Sequence, residues 1–158
     1  MGDIQTDYGT AGQAITITLA GLAASATVGR ESTVIDNTVD RFLDVLVQVK
    51  VEVGVVLAPK QILVFAYASV DGTGYTELAT GVDAGYTRRD PTSLVFLGAI
   101  PVPTASVIYK SRPFSLAQAF GAMPAKWGIV VFNDSGVALS ADAGDNAAVY
   151  QGIFATTV

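Results

Sequence analysis

Between Leu43 and Val53 the chain reads LDVLVQVKVEV, with valine at 45, 47, 49, 51 and 53. Asp44, Gln48, Lys50 and Glu52 fill alternate positions, interrupted only by Leu46. Successive side chains leave a strand on opposite sides, so this pattern predicts a strand with one buried face. A helix would scatter the same valines around its circumference. Ala14 to Leu19 repeats the theme, with Ile15, Ile17 and Leu19 on one side. Glu31 to Ile35 is a shorter candidate, ended by the turn-prone Asp36-Asn37. Gln61 to Ser69 is apolar on both faces, as a strand between two layers should be. It stops at Asp71-Gly72, a dipeptide suited to a tight hairpin, which makes Gly74 to Leu78 the expected returning strand. Ser93 to Ile100, Ser106 to Ser111, Trp127 to Asn133 and Ala147 to Thr156 bring the set to about nine.

Helical signal is confined to Ser115 to Phe120, with Ser115 as N-cap and Gly121 and Pro124 as stops. Without alternating strands and long amphipathic helices, an α/β fold is disfavoured. The expected fold is therefore all-β: an antiparallel, jelly-roll-like sandwich of about nine short strands with one short helix. Residues 1–13 read as a flexible polar arm and residues 14–158 as one sandwich domain, because no linker divides the chain. Gly74-Tyr75-Thr76 and Gly85-Tyr86-Thr87 echo each other but are too small for a repeat architecture.

Composition adds a reason to expect assembly. Of 158 residues, 51% are hydrophobic and only 15% charged, against about 25% charged in ordinary domains. So few charges leave apolar surface to be covered by copies of the chain, and a homo-oligomer is expected. Nine Lys and Arg against fourteen Asp and Glu give a net charge of −5. The cations are scattered, which argues against direct nucleic-acid binding. No Cys and no His are present, so thiolate nucleophiles, Cys/His zinc sites and imidazole bases are excluded. Residues 8–29 are uncharged yet rich in Thr, Ser, Gly and Ala, so a soluble chain is expected over a membrane span.

The remaining motifs favour plain structural roles. Gly72-Thr73-Gly74 lacks the strand-to-helix context and the basic residue of a phosphate loop. Asp142, Asp145 and Asn146 lack calcium-loop spacing, and no metal site is assigned. No catalytic residue and no cofactor are assigned either; Glu52 belongs to the polar face of a regular strand. Arg88 and Arg89 offer a bidentate partner for a carboxylate on a neighbouring subunit. Trp127 and the tyrosines suit interface anchors, core plugs or a sugar-stacking platform. The candidate interface residues are Asp3, Ile4 and Tyr8 of the arm, together with Arg88, Arg89 and Trp127.

The run from Tyr109 to Phe120 (YKSRPFSLAQAF), then Trp127 to Asn133 (WGIVVFN) and Tyr150-Gln151-Gly152, resembles small structural proteins of tailed-phage virions. The likeness is one of texture over roughly the last two-thirds of the chain. It implies a capsid cement or decoration protein, made in the host cytoplasm and seated on the capsid surface of the virion. The partners it implies are the chain itself, as a homotrimer or other homo-oligomer, and a major capsid protein. The alternatives are a tail, collar or fibre component, or a carbohydrate-binding sandwich.

Overall fold

The computed structural model describes residues 3–55 and 61–157. Two antiparallel sheets pack face to face, as the sequence predicts. In the first, β1 (Ile4–Tyr8) and β2 (Gln13–Ile15) lie end to end along β12 (Ala147–Thr157). The other edge of β12 pairs with β5 (Asp44–Glu52), which carries β9 (Ile108–Lys110) and β10 (Phe114–Ser115). The second sheet runs β7 (Ala84–Thr87), β3 (Ser25–Glu31), β11 (Lys126–Asp134), β6 (Gln61–Ser69) and β8 (Val95–Pro101). Strand β4 (Ile35–Asp36) continues β3 along β11.

Three of these pairs, β1–β2, β3–β4 and β9–β10, are single strands with a break. Counted so, and with the edge strand β7 set aside, eight strands run 1-8-3-6 in one sheet and 2-7-4-5 in the other. That is the order of a jelly roll, two Greek keys wrapped around one core.

The alternation read from β5 is the core's first layer. Val45, Val47, Val49, Val51 and Val53 are all fully buried, against Ile62, Val64, Ala66, Ile129 and Val131 of the facing sheet. Trp127 stands among them, its ring edge-on to Tyr150 with centroids 5.4 Å apart. Helix α2 (Leu116–Phe120) forms where expected: Ser115 Oγ accepts the Gln118 N–H at 3.0 Å and Gly121 closes it at φ 82°. Asp44 supports that cap, accepting the Ser115 hydroxyl at 2.6 Å and the Ala117 N–H at 2.8 Å.

Three strand expectations fail. Ala14 to Leu19 pairs only as far as Ile15, after which Thr18 turns its amide and hydroxyl to Asp83. Glu31 to Ile35 is the break between β3 and β4, followed by the short helix α1 (Asn37–Asp40) that Asp36 caps. Gly74 to Leu78 is no strand. Asp71 accepts the Thr73 and Gly74 N–H groups at 2.9 and 2.8 Å, and Thr76–Leu78 coils into one 3-10 turn with Glu77 at φ 55°.

The strand breaks at Ser32 and Ser111 share one solution. Each serine is buried, and its N–H donates to the next strand, at Ile129 and Val49 respectively. Its hydroxyl accepts the N–H of that same residue at 3.0 Å. Its carbonyl, turned off the ladder, accepts from a side chain: Tyr67 at 2.7 Å for Ser32 and Gln48 at 2.8 Å for Ser111. Alanine at either position would leave a buried amide unpaired. Ser32→Ala and Ser111→Ala should each lower stability by about 1–3 kcal/mol, read from chemical denaturation, with the β-rich far-UV spectrum retained.

Candidate docking surfaces

The two outer faces of the sandwich differ. On the second sheet, Phe65, Tyr67, Tyr86, Val130 and Phe132 form an apolar layer separate from the main core. The chain covers part of it itself with Tyr75, Ala79 and Leu94, from the segments either side of β7. Carboxylates fix this covering. Glu77 accepts the Arg89 N–H at 2.7 Å, the Ser93 N–H at 2.6 Å and the Thr92 hydroxyl at 2.6 Å. Burial alone would raise its pKa, and these hydrogen bonds reverse that and hold it below the ordinary carboxylate value. Asp83 is likewise raised by burial but lowered further by Arg30, 2.6 Å away, and by Thr18.

On the first sheet, the outward face of β5 and β12 presents Leu46, Gln48, Val149 and Gln151, with Lys50 and Lys110 directly opposite each other at one end. These four side chains are half-buried, with Ala11, Gly12 and Pro113 beside them. The other end of this face runs out into a ribbon. Beyond Ile153, which faces Asp44 at the start of β5, the register leaves β12 only β1 as a partner. All five residues of β1 are exposed, Ile4 at 77% and Tyr8 at 58%. A two-stranded ribbon is marginal in isolation, and among the described residues both of its long edges lack a strand. The same end of the molecule exposes Val39, Leu43 and Val70, the last at 95%.

The predicted interface residues scatter accordingly. Asp3, Ile4 and Tyr8 belong to the ribbon or its tip and are exposed, but the segment read as an arm is a strand of the chain's own sheet. Arg88 lies on the opposite sheet, its guanidinium 5.5 Å from both the Phe65 and Phe132 ring centroids. It has no carboxylate within salt-bridge reach among the described residues. Arg89 is exposed beside it. Trp127 is not an interface residue: its side chain is 0% exposed, and its Nε1 finds no hydrogen-bond partner among the described residues. The apolar strand around it drew it into the core, so it cannot serve a sugar platform either.

The other motifs resolve as turns. Gly72-Thr73-Gly74 wraps the Asp71 carboxylate, whose pKa falls to about 2 under the Thr73 and Gly74 N–H groups and the Ser69 hydroxyl. Asp142 accepts the Gly144 N–H, while Asn146 is buried and donates to the Ser140 and Asp142 carbonyls. Burial and the nearby Asp145 and Asp142 raise the pKa of Glu52. No group of three acidic side chains converges to hold a metal among the described residues, and none of the described helices is long and apolar enough to cross a membrane. Sequence reasoning missed Val39, Leu43 and Val70 because single exposed apolar residues in turns carry no periodic signal. It missed Glu31 and Asp83 because their partners are distant in the chain.

Fold and surface together define an all-β sandwich of jelly-roll order with one outer face partly covered by the chain's own segments. Comparison adds no relative: no family model, no curated protein and no solved structure matches the chain.

Two substitutions separate core from surface here. Trp127→Ala should cost about 3–5 kcal/mol through the cavity it leaves. Arg88→Ala should cost about 1 kcal/mol, the value of a guanidinium on aromatic faces. Denaturant midpoints compared with the unaltered protein would check both.

Proposed function

We propose that the chain is a virion structural protein of the capsid cement or decoration type. It acts as a homotrimer or other homo-oligomer that bridges subunits of a phage head. The observation that carries this reading is the ribbon of β1 and the end of β12, which extends beyond β5 with every residue of β1 exposed. Such an element gains stability only by lying against something else, and a lattice presents the same surface many times over.

Three further features support it. The jelly-roll order recurs in viral capsid domains as well as in lectins, although a shared fold alone is only an analogy. The composition carries few charges for its size, which suits burial between copies. The exposed Val39, Leu43 and Val70 gather at the end from which the ribbon rises, extending the area that docking would cover. The lectin branch of the analogy has less to draw on, because Trp127, Tyr67 and Tyr86 are all buried.

The ribbon gives the test. Ile4→Asp and Tyr8→Asp leave the sandwich core untouched. Each should weaken co-sedimentation with capsid shells at least about tenfold, as expected when one large apolar side chain loses its burial. Deletion of residues 1–10 should abolish binding while circular dichroism still reports the folded domain. Shell affinity unchanged in all three variants would remove the ribbon from the docking surface.

A further inference from the structure

Residues 70–83, between β6 and β7, cross the outer face of the second sheet and lie over Tyr67. Their grip on the sheet is unusual in kind. The segment brings few apolar side chains to the contact: Tyr75 meets Tyr67 edge-on at 5.7 Å and Ala79 is buried, while Val70, Leu78 and Val82 all face solvent. The fastenings are mostly polar. Glu31 of β3 is 1% exposed, and its carboxylate accepts the Thr80 N–H at 2.9 Å and the Thr80 hydroxyl at 2.6 Å. No lysine or arginine pairs with it among the described residues. A buried carboxylate without a cation is costly to keep, and here its partners all lie on the crossing segment. At the far end, Asp83 holds Arg30 and Thr18. One backbone bond, from the Val34 N–H to the Gly81 carbonyl at 3.0 Å, adds to these, as do the Thr76 hydroxyl on Ala68 and the Tyr86 hydroxyl donating to the Glu77 carbonyl at 3.1 Å.

We propose that residues 70–83 are a latch with Glu31 as its buried catch, and that acid, acting on the Glu77 and Asp83 carboxylates that also tie the segment down, releases it as a unit from a sandwich that stays closed. Release bares Tyr67 and the adjoining aromatic floor, turning a clad face into an exposed apolar one.

The surroundings of the catch fit this role. Tyr67 of β6 and Tyr86 of β7 face Glu31, and their phenols are held neutral above their ordinary pKa by burial. Glu77 and Arg89 stand beside Tyr86, and Arg30 is bound to Asp83. Lys126 of β11 reaches the Gly72 carbonyl at the start of the segment. Asp71, Glu77 and Asp83, which shape and tie the segment, all titrate below their ordinary values. Their contribution is therefore complete above about pH 5 and is lost as pH falls through the folded values, about 2 for Asp71. The main core is a different cluster, reported by the single tryptophan, Trp127.

The experiment compares two reporters during acidification: binding of an apolar dye such as ANS, and the emission maximum of Trp127. The expected result is dye binding that rises below about pH 4 while Trp127 emission keeps its buried position. At pH 7, Glu31→Ala should speed amide exchange across 70–83 about tenfold or more, with β5 and β11 unaffected. Glu31→Gln, which can still accept from the Thr80 N–H, should keep the segment closed at pH 7. Thr80→Ala tests the catch from the other side if Glu31→Ala fails to fold. Dye binding that appears only together with a Trp127 shift would overturn the proposal. So would unchanged exchange across 70–83 in both Glu31→Ala and Thr80→Ala.

Discussion

A sheet closed around an apolar core must leave no backbone amide or carbonyl without a partner, and a jelly roll strains that rule wherever a strand bends from one course to another. Ser32 and Ser111 are where this chain meets the constraint. Each stands at a break in a strand and replaces a missing rung with its own hydroxyl. Each also turns a freed carbonyl toward a long side chain of its own sheet, Tyr67 of β6 and Gln48 of β5. The break at Ser32 lets β3 and β4 both pair with β11, and the break at Ser111 lets β9 and β10 both pair with β5. Without them the buried faces of β5 and β11 would lie beside unsatisfied backbone.

From that frame follows the asymmetry of the surface. The second sheet spends part of its own chain, on both sides of β7, to cover an outer layer of aromatics, and uses carboxylates to hold the cover in place. The first sheet keeps a flat face of amides and small apolar groups and extends it into a ribbon.

What the sequence revealed follows how each segment is buried. Strand β5 is half-buried, so its valines alternate in the letters themselves; β6 and β11 lie between two apolar layers and read as unbroken apolar runs. Helix α2 announced its own cap at Ser115. The errors arose where distant partners decide. Gly74 to Leu78 has strand-like composition, yet Asp71 bends the chain through its amides, and Glu77 takes a left-handed conformation while its carboxylate serves residues 89 to 93. Trp127 looked like an anchor because tryptophan often is one, but its neighbours already marked a core strand. The polar letters of residues 4–8 gave no strand signal, since their pairing depends on the far end of the chain. For the docking surface, Ile4 and Tyr8 were legible as exposed apolar residues, whereas the cladding of the opposite face was not.

The ribbon's register has a mechanical meaning. Ile4 faces Thr157 at its tip, and Tyr8 faces Ile153 where it joins the body. Tension applied between residues 4 and 157 therefore loads the rungs one after another, like a zipper, and not all together as in shear. The ribbon would part before the sandwich feels the load, because Gln13–Ile15 and the rest of β12 lie behind it in the line of force. The molecule thus carries a fuse at one end: a short element that yields at low force and can close again around an intact body.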